Sequence, residues 1–332
     1  MTEQLGIAVS GGPTPAEIVD LVTLAEALGY QSAWVAEGHG GDQFSVLTGC
    51  AMRTSTIQLG TAISSVYVRS IPTIAMAAAT VDNLSSGRFI LGLGSSHKVQ
   101  VVPEHGVEYT KPITRLRESV DIIRMLLQTG QAQYDGETVR IENFDLWFCP
   151  RRPDIPIYAA AVFPKMMAVC GEIADGIILT RSTLKTGAEV KARLAEGAKR
   201  SGRDAGKIAV TSLLPTAVAD NRQDALDVMR PGLAFYAGFF PRYNQLIAEH
   251  GFAEEAAAIA VAWAKGDRAG AEGLVSDAMI DATSIVGTPD QCRERLEDYR
   301  QSGIDLPIIS PFARGLNAKA TFEAAIRACA PV

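Results

Sequence analysis

The sequence predicts an α/β protein, a (β/α)8 TIM barrel with a helical insertion after strand seven. Short apolar runs alternate with segments in which apolar residues recur at helical spacing. Each run ends in small or polar residues, as strands do where they leave a parallel sheet. The alternation of strands and helices stops between residues 220 and 279. This Ala-rich stretch is helical in composition and is interpreted as an insertion. We expect one domain over residues 1–332, and a doubly wound sheet is the alternative.

Local signals place the first elements of this pattern. Thr14 precedes Pro15, and Glu17 follows at the spacing of a capping box, so a helix begins here. Two apolar runs bracket an Ala-rich helix over residues 71–84, which is typical of a parallel crossover unit. The eight predicted strands are residues 5–9, 32–36, 57–63, 88–93, 155–159, 175–179, 207–214 and 306–310.

The later elements follow from the same signals. We expect a loop from the fourth strand to Thr110 and an amphipathic helix over residues 112–127. Asp135-Gly136 predicts a hairpin within residues 133–141. Arg69 and Arg88 are interpreted as structural residues, because a buried guanidinium can tie loops together through several hydrogen bonds.

Composition excludes several classes of protein. The 332 residues are 47% hydrophobic with a net charge of −6, and the basic residues are scattered, so nucleic acid is not an expected partner. The five cysteines have no metal-ligand spacing, and we expect no metal site. The N-terminus does not resemble a signal peptide, and no apolar run is long enough for a membrane span. We therefore expect a cytoplasmic enzyme that acts on a small molecule without contacting a membrane.

Barrel active sites lie where strands give way to helices at the carboxyl face. Small and polar residues follow most of the predicted strands, and these strand-end segments are where we expect the site. The segments are residues 10–13, 37–42, 62–65, 94–98, 160–163, 180–181 and 310–314.

Two of these segments carry side chains with acid–base chemistry. Glu37 and His39 share one Gly-rich loop and could donate or accept a proton. The alternatives are a solvated loop, or a Glu37 that anchors the loop through hydrogen bonds to backbone N–H groups. His97 could join them as a metal ligand, but no HxH or HxxxH spacing supports this.

Two other segments could approach a ligand through their backbone. Gly92 and Gly94 form GxG but not the dinucleotide fingerprint. These glycines therefore allow either the close approach of a ligand to the backbone or tight packing of the strand. Residues 160–163 precede a helix N-terminus, where free N–H groups and the helix dipole favour a phosphate. An ordinary strand-to-helix turn is the alternative for that segment.

The run TVDNLSSGRFILGLGSSHK resembles the luciferase-like monooxygenase superfamily. Further stretches, YTKPITRLRESVDIIRMLL, YDGETVRI, IPIYAAAVFPKMMAVCGEIADGII and ATSIVGTPDQCRERLEDYRQSGI, are most similar to its methylenetetrahydromethanopterin reductase-like deazaflavin branch. The similarity extends from Gly6 to about Arg314.

This resemblance implies a TIM barrel that binds F420, or alternatively FMN, at its carboxyl face. It implies a non-prolyl cis peptide at Ala62–Ile63, supporting the central ring, and it places the acid of the strand-two motif at Glu37. Lys98, Lys165 and Arg181 are candidates for contact with the anionic tail of F420, and Arg181 is expected alternatively to meet an anionic substrate. The cofactor-binding residues expected here are Ala62, Ile63, Ser64, Ser65, Gly94, Ser95, Ser96, His97, Ala160, Ala161, Val162 and Phe163.

The chain departs from the reductase pattern, which implies a different substrate. Ala8 stands where family reductases have an acid in the first strand, and His97 replaces the acid after the strand-four glycines. The resemblance predicts an F420-dependent oxidoreductase that moves a hydride, with Glu37 or His39 handling the proton. An FMN-dependent monooxygenase and a non-catalytic flavin-binding protein are the alternatives. A homodimer is also expected, through the Ala-rich helix over residues 71–84.

Overall fold

Eight parallel strands close into a barrel in a computed structural model, which describes residues 4–9, 11–313 and 317–331. The predicted (β/α)8 barrel is thus confirmed, and each predicted strand end lies within a few residues of the observed one. In chain order the strands are β1 (Gly6–Val9), β2 (Ser32–Val35), β3 (Gln58–Thr61), β4 (Ser64–Ser65), β5 (Phe89–Gly94), β6 (Gln131–Asp135), β7 (Arg140–Asp145), β8 (Ile157–Ala160), β9 (Gly176–Thr180), β10 (Ala209–Val218), β11 (Ile285–Gly287) and β12 (Leu306–Pro311).

The barrel is closed by β10, which pairs in parallel with both β9 and β12. Leu213 lies opposite Thr180 on one side and Ile308 on the other. Around the ring the order is β1, β2, β3, β5, β8, β9, β10 and β12, so neighbours in the chain are neighbours in the barrel. This order rules out the doubly wound alternative, in which the sheet stays open.

The helices form where the local signals predict them. Thr14 and Glu17 make the reciprocal bonds of a capping box, with the Thr14 N–H donating to Glu17 Oε2 at 2.8 Å. In chain order the helices are α1 (Pro15–Ala27), α2 (Gln43–Arg53), α3 (Ile71–Leu84), α4 (Lys98–His105), α5 (Pro112–Thr129), α6 (Pro164–Ile173), α7 (Thr186–Ser201), α8 (Arg222–Phe239), α9 (Pro241–Ile247), α10 (Ala253–Ala264), α11 (Arg268–Gly273), α12 (Asp277–Thr283), α13 (Pro289–Gln301) and α14 (Ala318–Ala328).

Three details differ from the sequence prediction. Helix α4 replaces part of the expected loop. Its Pro103 lies inside the helix, where proline removes a backbone hydrogen bond, so the sequence there does not indicate a helix. Strand β11 was not expected, because three residues are too few to show a periodicity; it pairs with the end of β10. The hairpin strands β6 and β7 also extend beyond the predicted turn region.

The barrel interior is filled by apolar and aromatic side chains, of which Trp34 is the largest. Its indole N–H donates to Ser32 Oγ at 2.9 Å, which satisfies the one polar group of the ring. A Cβ at Gly60 would lie 2.3 Å from the Trp34 ring, so glycine is required on the neighbouring strand. The interior is therefore a packed core, as in other barrels of this size.

Helices α8 to α12 form the predicted insertion and bury an apolar cluster of their own around Met229, Leu233 and Met279. The Ala-rich face of α3, in contrast, is not available for a dimer contact. Ala75, Ala78 and Ala79 are fully buried against the rest of the chain, and α3 presents Met76 and Leu84 outward instead. Over the described ranges, we find no helix with both the length and the apolar character needed to cross a bilayer.

Candidate active site

The carboxyl ends of the barrel strands bring most of the predicted site segments to one mouth. Parallel strands share one direction, so the residues after β2, β4, β5, β8 and β9 lie around a common opening. Ser10 and Arg314, which belong to two of the predicted segments, lie outside the described residues.

Glu37 is held by both of its carboxylate oxygens. Oε2 accepts a hydrogen bond from the Ser65 backbone N–H at 2.8 Å, and Ser64 Oγ approaches it at 3.5 Å. Oε1 contacts the Arg69 guanidinium, which also reaches Asp42 at the start of α2. The side chain is only 16% exposed. These are the contacts of a loop anchor, the alternative that the sequence left open for Glu37, and they confirm the structural interpretation of Arg69.

His39 points away from this cluster. Its side chain is 79% exposed, and Nε2 lies 3.3 Å from Glu104 Oε2 on α4. The structure therefore does not join Glu37 and His39 into one acid–base pair by any contact it describes. The roles of both residues in proton transfer stay predictions.

The peptide bond between Ala62 and Ile63 is cis, as the resemblance predicts. Directly after it, Ser64 and Ser65 form β4 and pair with Leu93 and Gly94 of β5. Glu37 binds this same short strand, so the β2 loop, the β3 end and the β5 end are one connected unit.

The two glycines of β5 serve packing. A Cβ at Gly94 would lie 2.8 Å from the Ile63 side chain, and one at Gly92 would lie 1.9 Å from the Thr61 carbonyl oxygen. Thr61 Oγ1 also exchanges two 2.8 Å hydrogen bonds with the Gly92 backbone. The packing alternative is thus correct for Gly92, while Gly94 gives Ile63 room at the mouth.

The segment after β5 carries Ser95, Ser96 and His97 to the edge of the mouth. Ser96 has a left-handed backbone with φ of 55°. The His97 ring lies 4.7 Å from the Phe240 ring and 4.8 Å from the Tyr243 ring, both outside the barrel wall. Burial, with a smaller contribution from Arg242, lowers the pKa of His97 to about 4. His97 is therefore a neutral aromatic contact at neutral pH.

The segment after β8 leads into α6. Ala160 and Ala161 are followed by Val162 and Phe163, and Phe163 is the N-cap residue of α6. Phenylalanine has no polar side-chain atom, so it cannot cap the free N–H groups of the first helical turn. The Arg242 guanidinium lies 5.2 Å from the Phe163 ring centroid and adds positive charge nearby. This donor set suits a phosphate group.

Arg181 follows β9 and is buried, with 4% of its surface exposed. Among the described residues, neither its Nε nor its Nη1 has a hydrogen-bond partner. The guanidinium carbon lies 4.0 Å from the Tyr236 ring centroid, and burial lowers the pKa of the group. The backbone here is left-handed, with φ of 52°. Arg181 thus brings an unmatched positive charge to the mouth.

The insertion contributes a wall that the sequence analysis missed. Helices α8 and α9 lie outside the barrel wall, as predicted, but their aromatic side chains reach over the ends of β5 and β9. The segment FYAGFFPRY is unusually aromatic, and that composition is the signal that could have indicated a ring-binding surface. The residues of this aromatic wall are Phe235, Tyr236, Phe239, Phe240 and Tyr243.

Charged, polar and aromatic groups gathered at the carboxyl mouth of a (β/α)8 barrel are typical of a barrel enzyme. The family model described as luciferase-like monooxygenase matches residues 1–306. The chain therefore belongs to the luciferase-like monooxygenase family.

Individual relatives cover nearly the whole chain. The sequence is 32% identical over 294 residues to a 5,10-methylenetetrahydromethanopterin reductase of Archaeoglobus fulgidus, with 87% of each chain covered. It is 27% identical to a putative coenzyme F420-dependent oxidoreductase of Mycobacterium tuberculosis, with 90% of this chain and 92% of the relative covered. The structure of the coenzyme F420 dependent tetrahydromethanopterin reductase from Methanopyrus kandleri superposes with a TM-score of 0.86 at 28% identity, with 100% of this chain and 99% of that chain covered.

Proposed function

We propose that the protein is an F420-dependent oxidoreductase, which transfers a hydride between the deazaflavin and a small organic substrate. The observation that carries this proposal is the full-length similarity, in sequence and in fold, to the F420-dependent reductase of Methanopyrus kandleri. The donors at the start of α6 and the nearby Arg242 fit a cofactor that carries a phosphate. Bound F420 would supply the hydride chemistry, and the chain would position the two reactants.

In this proposal the connected unit at the ends of β3 and β5 supports the cofactor ring. Ala62, Ile63, Ser64 and Ser65 form one side, and the loop over residues 94–97 forms the other. Residues 160–163 bind the phosphate through the first turn of α6. The aromatic wall of the insertion covers the site and excludes water, which strengthens electrostatic interactions inside it.

The cofactor assignment is tested by titrating the purified protein with F420 and with FMN, followed by absorption spectra and mass analysis of the bound molecule. We expect F420 to bind and FMN to bind more weakly or not at all. Preferential binding of FMN would support the monooxygenase alternative instead. F420 binding without turnover on any substrate of a broad panel would indicate the non-catalytic alternative.

The proton donor is tested with Glu37→Gln and His39→Asn. Since both Glu37 oxygens are already occupied, we expect Glu37→Gln to lower F420 affinity and turnover together. A direct proton donor would instead lose roughly two to four orders of magnitude in turnover at unchanged affinity. His39→Asn is the matched control on the same loop, and a loss confined to this variant would assign the proton transfer to His39.

The homodimer and the cytoplasmic location also stay proposals. Because the alanine face of α3 is buried, a dimer contact there would use Met76, Thr80 and Leu84 on its outer face. Light scattering of the wild type and of Met76→Glu measures this directly. A wild type that is monomeric at micromolar concentration would refute the dimer.

A further inference from the structure

We propose that Arg181 binds a carboxylate of the substrate, so that the enzyme acts on organic monocarboxylates with a flat or apolar body. This inference rests on the proposed function, because it places the substrate at the same mouth as F420. It adds the chemical class of the substrate, which neither the family nor its relatives define for this chain.

The first step is the unmatched charge of Arg181. Guanidinium groups stay protonated in proteins, so burial does not remove this charge. Within the described part of the chain, no carboxylate forms an ion pair with Arg181, and two of its nitrogens have no acceptor. Buried cations are normally paired, because an isolated one loses its hydration without compensation.

The second step is the nature of the groups around Arg181. The Tyr236 ring lies against the guanidinium, and the Tyr243 ring follows at 5.2 Å from Tyr236. Burial raises the pKa of Tyr243, so this phenol is neutral at physiological pH, and His97 beside it is neutral too. The Tyr236 side chain also forms a hydrogen bond with the guanidinium, but a neutral phenol supplies no opposite charge, and Nε and Nη1 still have no acceptor among the described residues. A ligand that satisfies both the charge and these two nitrogens is therefore an anion with acceptor oxygens.

The third step is the position of this charge relative to the expected cofactor. Tyr236, Tyr243 and His97 form a continuous aromatic path, with the Tyr243 and His97 rings 4.8 Å apart. His97 belongs to the loop after β5 that is proposed to support the cofactor. A molecule bound to Arg181 would thus lie under the insertion and beside the deazaflavin.

The fourth step is the choice between a carboxylate and a phosphate. Arg181 is a single buried cation, and its neighbours Tyr236 and Tyr243 add neutral hydroxyl groups but no second positive charge. One positive charge balances one negative charge, which is the charge of a carboxylate. A phosphate monoester carries up to two negative charges, and the second one would remain unpaired in this surrounding.

The test compares benzoate with benzamide, which have the same shape but differ in charge. Calorimetric titrations are carried out on the protein saturated with F420 and again without F420. We expect the wild type to bind benzoate about ten-fold more tightly than benzamide, or better, because a hydrogen bond to a charged group contributes that much. Arg181→Met should reduce this ratio to about one.

A matched control is Arg268→Met. Arg268 also lies over an aromatic ring of the insertion, with its guanidinium carbon 3.6 Å from the Trp263 ring centroid, but it is exposed and donates to the Trp263 carbonyl. This variant should keep the preference for benzoate. Equal binding of benzoate and benzamide by the wild type, or an unchanged preference in Arg181→Met, would overturn the proposal.

Two further outcomes separate the ligand classes. Tighter binding of phenyl phosphate than of benzoate would overturn the assignment to a carboxylate. Loss of F420 affinity in Arg181→Met would overturn it as well, because Arg181 would then serve the cofactor. If the wild type fails to bind F420 but keeps the benzoate preference, the carboxylate site is supported while the proposed cofactor is refuted.

Discussion

The loops after β2 and β9 each bring one charged side chain with little exposed surface to the mouth of the barrel, and the surroundings of the two charges are opposite. Glu37 at the end of β2 has an arginine on one carboxylate oxygen and backbone and hydroxyl groups on the other. Arg181 at the end of β9 has an aromatic ring and no acceptor for two of its nitrogens within the described residues. A charge that is fully satisfied by the protein stabilises the fold, whereas an unsatisfied one is available to a ligand.

His97 shows a third response to burial. A histidine can lose its proton when it is desolvated, and the lowered pKa of His97 indicates that it does so. Arginine cannot respond in this way at physiological pH. The three groups therefore differ in how their charge is compensated. Glu37 pairs with a neighbouring arginine, and His97 loses its proton to the solvent. In our proposal, the carboxylate of the substrate pairs with Arg181.

The largest effect is expected for the pH dependence of stability through His97. Unfolded His97 titrates near pH 6.5 and folded His97 near 4, so between these values the unfolded state binds the extra proton. The free energy of unfolding should therefore fall by about 3 kcal/mol as the pH drops through this window. Urea denaturation of the wild type and of His97→Phe at pH 7 and pH 4 measures this contribution. The same pH slope in both proteins would contradict it.

A smaller loss of stability is expected when Glu37 is deprived of the arginine with which it forms an ion pair. Arg69→Met leaves Glu37 and Asp42 without their shared cation and should lower the free energy of unfolding by about 2 kcal/mol. Arg140→Met is the matched control, because the Arg140–Asp135 pair is almost fully exposed and should contribute little. Equal losses in the two variants would show that Glu37 is not anchored by Arg69.

The smallest expected effect is a gain in stability rather than a loss. Arg181→Met removes a buried charge that lacks an ionic partner, so the protein without ligand should gain about 1 kcal/mol of stability after the lost cation–π contact is counted. Thermal unfolding without benzoate measures this gain in stability. Thermal unfolding with benzoate measures how far the ligand stabilises the wild type and the variant. A destabilised Arg181→Met variant would indicate that the guanidinium already has a partner in the protein.

Much of the fold could be predicted from the sequence because its signals are local. The capping residues Thr14 and Glu17 lie within one turn, and the alternation of strands and helices needs no knowledge of distant contacts. Strand β11 and helix α4 were missed for the same reason, since three residues or a proline-containing turn give no clear local pattern. Their formation depends on pairing and packing with distant segments.

The site could be predicted only in part. The sequence placed Glu37 and Arg181 at strand ends, but whether each has a partner depends on Arg69 and on the insertion, which are far away in the chain. The cis bond at Ala62–Ile63 was predicted through the resemblance, since nothing in the two residue types favours it. The aromatic wall was visible as a composition, yet only the folded chain shows which strand ends it covers.

Trp34 determines which end of the barrel a ligand can use. Because its ring fills the interior of the barrel, a small molecule cannot pass through the barrel and must use the carboxyl mouth both to enter and to leave. In the proposed function, F420 and the substrate would therefore enter and leave on the same side of the barrel.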